Sequence, residues 1–352
     1  MTGFRIDESD LAHCRQLLAG GSKSFHAASM LLPRWIAAPA AALYAFCRVA
    51  DDEIDLSDSK PAAMQRLVSR LDAAYAGRPQ DDPVDRAFAA VVAHFGIPRA
   101  LPEALLEGLA WDAVGRRYED MAELEAYATR VASAVGAMMT LLMGVRDTDA
   151  IARACDLGLG MQLTNIARDI GEDAREGRLF LPLSWLREEG IAPEDFLAAP
   201  RFTPAIGRLT ARLLAAADRH YARAQAGIAL LPRDCRAGIG AARVIYAEIG
   251  REVERNGLDS ISRRAVVAGW RKAVLLARAA GALVGGRSGA GAPPCEAASY
   301  LVAAVAAAPR PRGLIPRGWG SRLVWALELM DQIDRDGATA GQRLPMQALS
   351  AD

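Results

Sequence analysis

Apolar side chains recur every three to four residues through most of this chain, and that periodicity fixes the class of fold open to it. Stretches rich in Val, Ile and Thr with strict alternation are missing, so no sheet is expected and the chain reads as all-α. The pattern predicts helices near 8–19, 24–32, 39–54, 61–76, 84–95, 101–115, 121–144, 148–174, 204–230, 235–256 and 263–284, with two shorter ones in the tail. Pro and Gly clusters such as Arg78-Pro79 and Asn256-Gly257 separate several of them. Five prolines or glycines between Leu181 and Pro204 predict a long ordered connection, a place where function often sits.

With 52% hydrophobic and 24% charged residues among 352, the chain can bury a large core. Composition changes only at Gly285–Pro294, GGRSGAGAPP, which predicts one helical domain over 1–284, a flexible linker over 285–294 and a helical, basic tail over 295–352. Basic and acidic residues balance at 42 each, which leaves no overall field to hold a nucleic acid. Five scattered cysteines form no CxxC pair, and the four histidines form no HExxH, so neither a disulfide framework nor a zinc site is indicated. Gly158-Leu-Gly160 lacks the third glycine and the preceding strand of a dinucleotide fingerprint. The N-terminus does not read as a signal peptide, and the longest uncharged run, Val131 to Val145, is short for a bilayer span. A cytoplasmic protein that meets membrane from one side only is therefore expected.

Two segments carry the chemistry. In Leu43-Tyr-Ala-Phe-Cys-Arg-Val-Ala-Asp-Asp-Glu-Ile-Asp55, helical winding brings Tyr44, Arg48, Asp51 and Asp55 onto one face. In Gln162-Leu-Thr-Asn-Ile-Ala-Arg-Asp-Ile-Gly-Glu-Asp173, Asn165, Asp169 and Asp173 follow at intervals of four, with Gln162 one turn earlier. An arbitrary acidic stripe on a helix is usually just its solvated face. Here the turns before each stripe, Ile36 to Cys47 and Leu157 to Ile166, carry no charge at all. Acids that extend a buried helix must line a polar cavity or hold cations, because an unpartnered buried carboxylate is too costly. Mg²⁺, with Mn²⁺ as a substitute, suits such oxygen ligands and is commonly shared between carboxylates and substrate phosphates. Two acidic helices would thus clamp a diphosphate and stabilise it as a leaving group beside an apolar pocket.

The string NIARDIGEDAREGRLFLP, Asn165 to Pro182, resembles the second aspartate-rich region of squalene and phytoene synthases, and YAFCRVADDEID, Tyr44 to Asp55, is similar to the first. Gly21-Ser-Lys-Ser-Phe25 resembles the family's phosphate-contacting segment, and Tyr127 to Gly136, YATRVASAVG, its central motif. Order and spacing agree from about His13 to Val284, with Thr129 and Arg130 as departures that put the polarity of the cavity in question.

The resemblance implies an isoprenoid synthase type helical bundle around a central cavity. It implies Asp51, Asp55, Asn165, Asp169 and Asp173 as magnesium ligands, with Gln162 completing the second site, and Tyr127 as a catalytic tyrosine of the cavity. Ser22, Lys23, Ser24, Tyr44, Arg48, Arg168, Tyr246 and Arg264 are implied contacts of the diphosphates. Bland readings stand beside several of these: an ordinary helix cap for Ser22 to Ser24, charge neutralisation for Arg48 and Arg168, and a core tyrosine for Tyr246. Asp52 is an extra acid that binds metal or faces solvent.

The implied activity is head-to-head condensation of two geranylgeranyl diphosphates through a cyclopropylcarbinyl diphosphate to phytoene, ending in proton loss without NADPH. Dehydrosqualene, presqualene or squalene synthesis from farnesyl diphosphate is the nearest alternative. A noncatalytic scaffold would tend to lose the acids, and the NxxxDxxxD spacing argues against a head-to-tail elongase. The greasy substrates predict peripheral membrane contact, and the tail segment holding Arg310, Arg312, Arg317, Trp319 and Arg322 is either a solvated loop or its interfacial anchor. Downstream carotenoid enzymes are the expected protein partners.

Overall fold

The computed structural model describes residues 4–21, 31–281 and 291–309. Among these residues the secondary structure is helical, with no strand. The expected helix at 24–32 up to residue 30, Ser22 to Ser24, the linker up to residue 290 and the basic tail from Arg310 lie outside the described residues, while residues 31 and 32 are turn and bend.

Side-chain oxygens begin many of the helices. Asp7 caps α1 (Glu8–Gly20) by accepting from the Ser9 amide at 2.9 Å, and Asp82 with Pro83 opens α4 (Pro83–Phe95). Between them lie α2 (Arg34–Asp55) and α3 (Lys60–Tyr75). The chain continues through α5 (Ala100–Ala113) to α6 (Met121–Ala128), where Asp120 caps the Glu123 amide. The single helix expected over 121–144 is interrupted by a π turn, Thr129–Ser133, before resuming as α7 (Ala134–Leu142).

Asp147 caps α8 (Thr148–Arg175), the long central helix, which packs most extensively on α11 (Pro204–Ile228) and also against α7, the π turn and α12 (Arg236–Arg255). Close approach is possible because Gly158 lies against the backbone of Ser133 in the π turn, where a methyl group would sit 2.7 Å from its Cα. The ordered connection expected after Leu181 contains two short helices, α9 (Leu183–Glu188) and α10 (Pro193–Ala198). Leu183 and Ser184 amides anchor it to the carbonyls of Tyr118 and Glu119.

The helix expected from 263 begins later, as α13 (Gly269–Gly281). Gly257 and Leu258 both adopt positive φ after α12, and the Asp259 carboxylate then accepts from the Ile261 and Ser262 amides, closing a turn that competes with helix. This irregular strap presses on α8 at Gly171, where a methyl group would meet Ile261 Cα at 2.6 Å. Residues 291–309, the first four of them within the expected linker, return to the helical body, where the Gly291 amide donates to Asp149 and α14 (Ser299–Ala307) packs on α8 and α5. Among the described residues no helix is long and apolar enough to cross a membrane.

Candidate active site

The uncharged turns of α2 and α8 bury Leu43, Phe46, Leu159 and Leu163, while Tyr44, Cys47, Met161, Gln162 and Asn165 face an internal cavity. Both helices then run out of the core at their acidic ends. On α2, Arg48 grips Asp52 through Nε at 2.9 Å and lies 3.5 Å from Asp51. Burial and the neighbouring Asp55 push the Asp51 carboxyl above the ordinary range.

On α8, Asp169 accepts a fork from Arg168, with Nε at 2.7 Å, and another from Arg264 of the strap, at 2.8 and 3.1 Å. Burial raises an acid's pKa, but here the two guanidinium groups outweigh it and hold Asp169 low. Arg264 also reaches Glu172 at 3.2 Å. One turn on, Arg178 bonds Asp173 at 3.0 and 3.2 Å, yet burial still lifts Asp173 to about 6. The Arg178 charge acts on Asp51 and Asp55 of the first pair as well. Gln162 and Asn165 touch at 3.5 Å.

A further carboxylate stands nearby. Asp112, at the end of α5, accepts a 2.7 Å hydrogen bond from the Tyr127 hydroxyl. Burial raises it to about 7, and the negative charges of Asp51 and Asp55 act in the same direction. Tyr127 itself is buried between Tyr118 and Phe180, with ring centroids at 5.2 and 5.3 Å. Arg130 turns away to stack on Trp111 at 4.2 Å and pair with Glu107 at 3.0 Å. Its charge is therefore answered outside the cavity.

Two spaces meet here. An open polar cleft of about 610 Å³ is lined by Arg48, Asp52, Arg168, Arg264 and Lys272, and a narrower apolar cavity of about 270 Å³ runs between α2, α7, α8, α11 and α12. Tyr44 lines both, and Gly21 lies so close to it that any side chain there would strike the Tyr44 hydroxyl. Gln162, Asn165 and the buried Tyr246 line the apolar cavity.

The family model described as squalene/phytoene synthase matches residues 18–271. The chain belongs to the squalene/phytoene synthase family. Among curated members of the family, a phytoene synthase of Rhodobacter capsulatus is 59% identical over 78% of this chain and 82% of its own length. A phytoene synthase of Cereibacter sphaeroides is 51% identical over 94% of this chain and 96% of its own. Among solved structures, a dehydrosqualene synthase bound to a ligand superposes with a TM-score of 0.72 at 32% identity, covering 78% of this chain and 97% of that one. The isoprenoid synthase fold of the squalene/phytoene synthases is thus the fold of this chain.

Asp112 and Arg178 interact with the sequence-predicted carboxylates and were not singled out from the sequence. Arg178 lay inside the quoted string, five residues after Asp173. Asp112 and Tyr127 are fifteen positions apart on different helices, and no local spacing joins them. Among the described residues no three acids cluster tightly enough to hold a metal by themselves.

Proposed function

We propose that this chain is a phytoene synthase, joining two geranylgeranyl diphosphates head to head to prephytoene diphosphate and then to phytoene. The observation that carries the reading is the junction of a basic, acid-flanked cleft with an apolar cavity, in a chain 51% and 59% identical to curated phytoene synthases.

Arg48, Arg168, Arg264 and Lys272 would receive the diphosphates, with Ser22, Lys23 and Ser24 as further contacts from outside the described residues. Their prenyl chains would extend past Tyr44 into the cavity beside Tyr246. Asp51, Asp55, Asn165, Asp169 and Asp173 would hold Mg²⁺ or Mn²⁺. The donors are all oxygen, and burial of part of Asp51 and Asp173 raises both carboxyls despite the arginines beside them, which fits a hard divalent cation. One or two carboxylates with phosphate oxygens and water suffice for Mg²⁺, so the lack of a tight cluster of three acids is no obstacle. Such an ion, when bound, offsets the negative charge that grows on a departing diphosphate.

The side chains would do the rest. The cleft arginines hold each diphosphate in line as its carbon–oxygen bond breaks, and the apolar walls keep water from the resulting allylic cation. In the first step the double bond of the second substrate attacks and a proton leaves, closing the cyclopropane. In the second, ionisation and rearrangement end in another proton loss, so no hydride donor is needed. Tyr127, fixed by Asp112, borders the carboxylates at which this chemistry begins.

Incubation of purified protein with Mg²⁺ and geranylgeranyl or farnesyl diphosphate, with and without NADPH, tests the reading by mass spectrometry of the hydrocarbon. Phytoene formed without NADPH supports it; a linear, longer diphosphate would reject it. Condensation of farnesyl diphosphate alone would favour the second reading, which draws on the likeness to a dehydrosqualene synthase. Such a protein would work on the cytoplasmic membrane face, handing its product to carotenoid enzymes. Co-sedimentation with liposomes tests that contact.

A further inference from the structure

The cavity follows α8 away from the acids. Its lining includes Asn165, Met161, Leu157, Ala154 and Arg153, the last lying farthest from Asp169 among these. The sixteen positions between Arg153 and Asp169 span about 24 Å of helix, of the order of an extended geranylgeranyl chain.

Arg153 is a charged residue in the lining of an apolar cavity that continues one helical turn farther, to Ala150. The Arg153 side chain is 1% exposed. Its Nη2 donates to the carbonyls of Ala292 and Pro293 at 3.0 and 3.1 Å, and its Nη1 stands 3.4 Å from Asp156, itself fully buried. Asp156 also accepts from Arg223 at 2.9 Å and meets His220 at 3.1 Å, while His220 reaches Glu125 at 3.2 Å. The guanidinium is therefore pinned outside the cavity, and the aliphatic stem is left to face it. Against the stem, α11 presents Gly227, which also lines the cavity and where a methyl group would fall on the Arg153 Cβ.

We propose that the stem of Arg153 is part of the deep wall that sets prenyl chain length, held in place by Asp156 and by the carbonyls of Ala292 and Pro293. This rests on the function proposed above and adds which residues select the substrate. It also gives the last residues of the expected linker a part in specificity: residues 292 and 293 do not line the cavity, yet they brace its wall. The neighbouring Ala154 faces the cavity at the same depth and leaves the room that a longer side chain would take.

The test compares kcat/KM for farnesyl, geranylgeranyl and farnesylgeranyl diphosphates across the full-length protein and three variants. Arg153→Ala removes that part of the wall and leaves Asp156 partnered by Arg223 and His220; its ratio for the twenty-five-carbon over the twenty-carbon substrate should rise about tenfold or more. Arg153→Met keeps the stem and loses the charge, so its ratio should stay near that of the parent. Ala154→Leu fills the same depth and should move preference toward farnesyl diphosphate by about tenfold. Soluble Arg153→Ala or Ala154→Leu protein with ratios within about twofold of the parent overturns the proposal. Arg153→Met behaving like Arg153→Ala would overturn the stem as part of the wall. Should Arg153→Ala not fold, Ala154→Leu alone decides. A parent protein that condenses none of the three substrates would overturn the function and this inference together, whereas an active parent with insensitive variants removes only the inference.

Discussion

The hydroxyl of Tyr127 donates to Asp112 across 2.7 Å, joining the helix before the π turn to the end of α5 beside the first acidic motif. Asp112 is lifted by burial to about 7, whereas an unfolded chain loses the same proton near 4. Between those values the folded state carries a proton that the unfolded state has released, so stability falls as pH rises through the window. Asp173, lifted to about 6, adds to the same slope. In metal-free buffer, urea unfolding of Asp112→Asn between pH 4 and 7 should show a shallower decline, by at most about 1.4 kcal/mol per pH unit. Identical slopes for the two proteins would mean that Asp112 does not hold its proton.

Asp51→Asn and Asp173→Asn should separate activity from stability. Both carboxyls sit where burial opposes their charge, so a neutral amide relieves that opposition and the melting temperature should hold or rise. Turnover should drop by about a hundredfold or more, as expected when a group that supports a developing negative charge is removed. A fall in melting temperature with activity intact would show that these acids serve the fold.

Arg264 holds Asp169 from the strap while also lining the polar cleft. Arg264→Ala should raise KM for the diphosphate substrate by about tenfold, the worth of one charge-assisted hydrogen bond. The KM of the variant should also depend less on salt than that of the parent. Unchanged KM at low ionic strength would remove Arg264 from substrate binding.

Gly171→Ala should damage both fold and site, since the added methyl meets the backbone of Ile261 at 2.6 Å and pushes away the strap that carries Arg264. Overpacking of this kind costs about 1–3 kcal/mol. A lowered unfolding midpoint accompanied by a raised KM would link the two, while a stability loss with KM untouched would sever the strap from the cleft.

Most of the helices were legible because each buries one apolar face at a period that sequence displays directly. The α8 helix from 148 to 175 is the clearest case, expected to within one residue of its end. What escaped the reading was set by tertiary approach. Leu258 and Asp259 divert the chain before α13 because α8 offers a bare Gly171 to the strap, and no local pattern records that fit. The acidic stripes were legible since helical spacing alone unites Asp51 with Asp55 and Asp169 with Asp173. Asp112 was not, because its partners arrive from another helix. The concern raised by Arg130 dissolves for a similar reason: Trp111 and Glu107 of α5 take up its charge.

The π turn at Thr129–Ser133 amounts to one surplus residue wound into an otherwise regular rod. Upstream of it Tyr127 serves the acids, and downstream Val135 and Met139 wall the greasy compartment. Excising a single residue there would restore ordinary winding and swing everything downstream by about 100°. Those two side chains would be carried off the face they now share with the compartment. The phase slip thus lets one rod serve two differently placed surfaces, and its loss would leave the register able to satisfy only one of them.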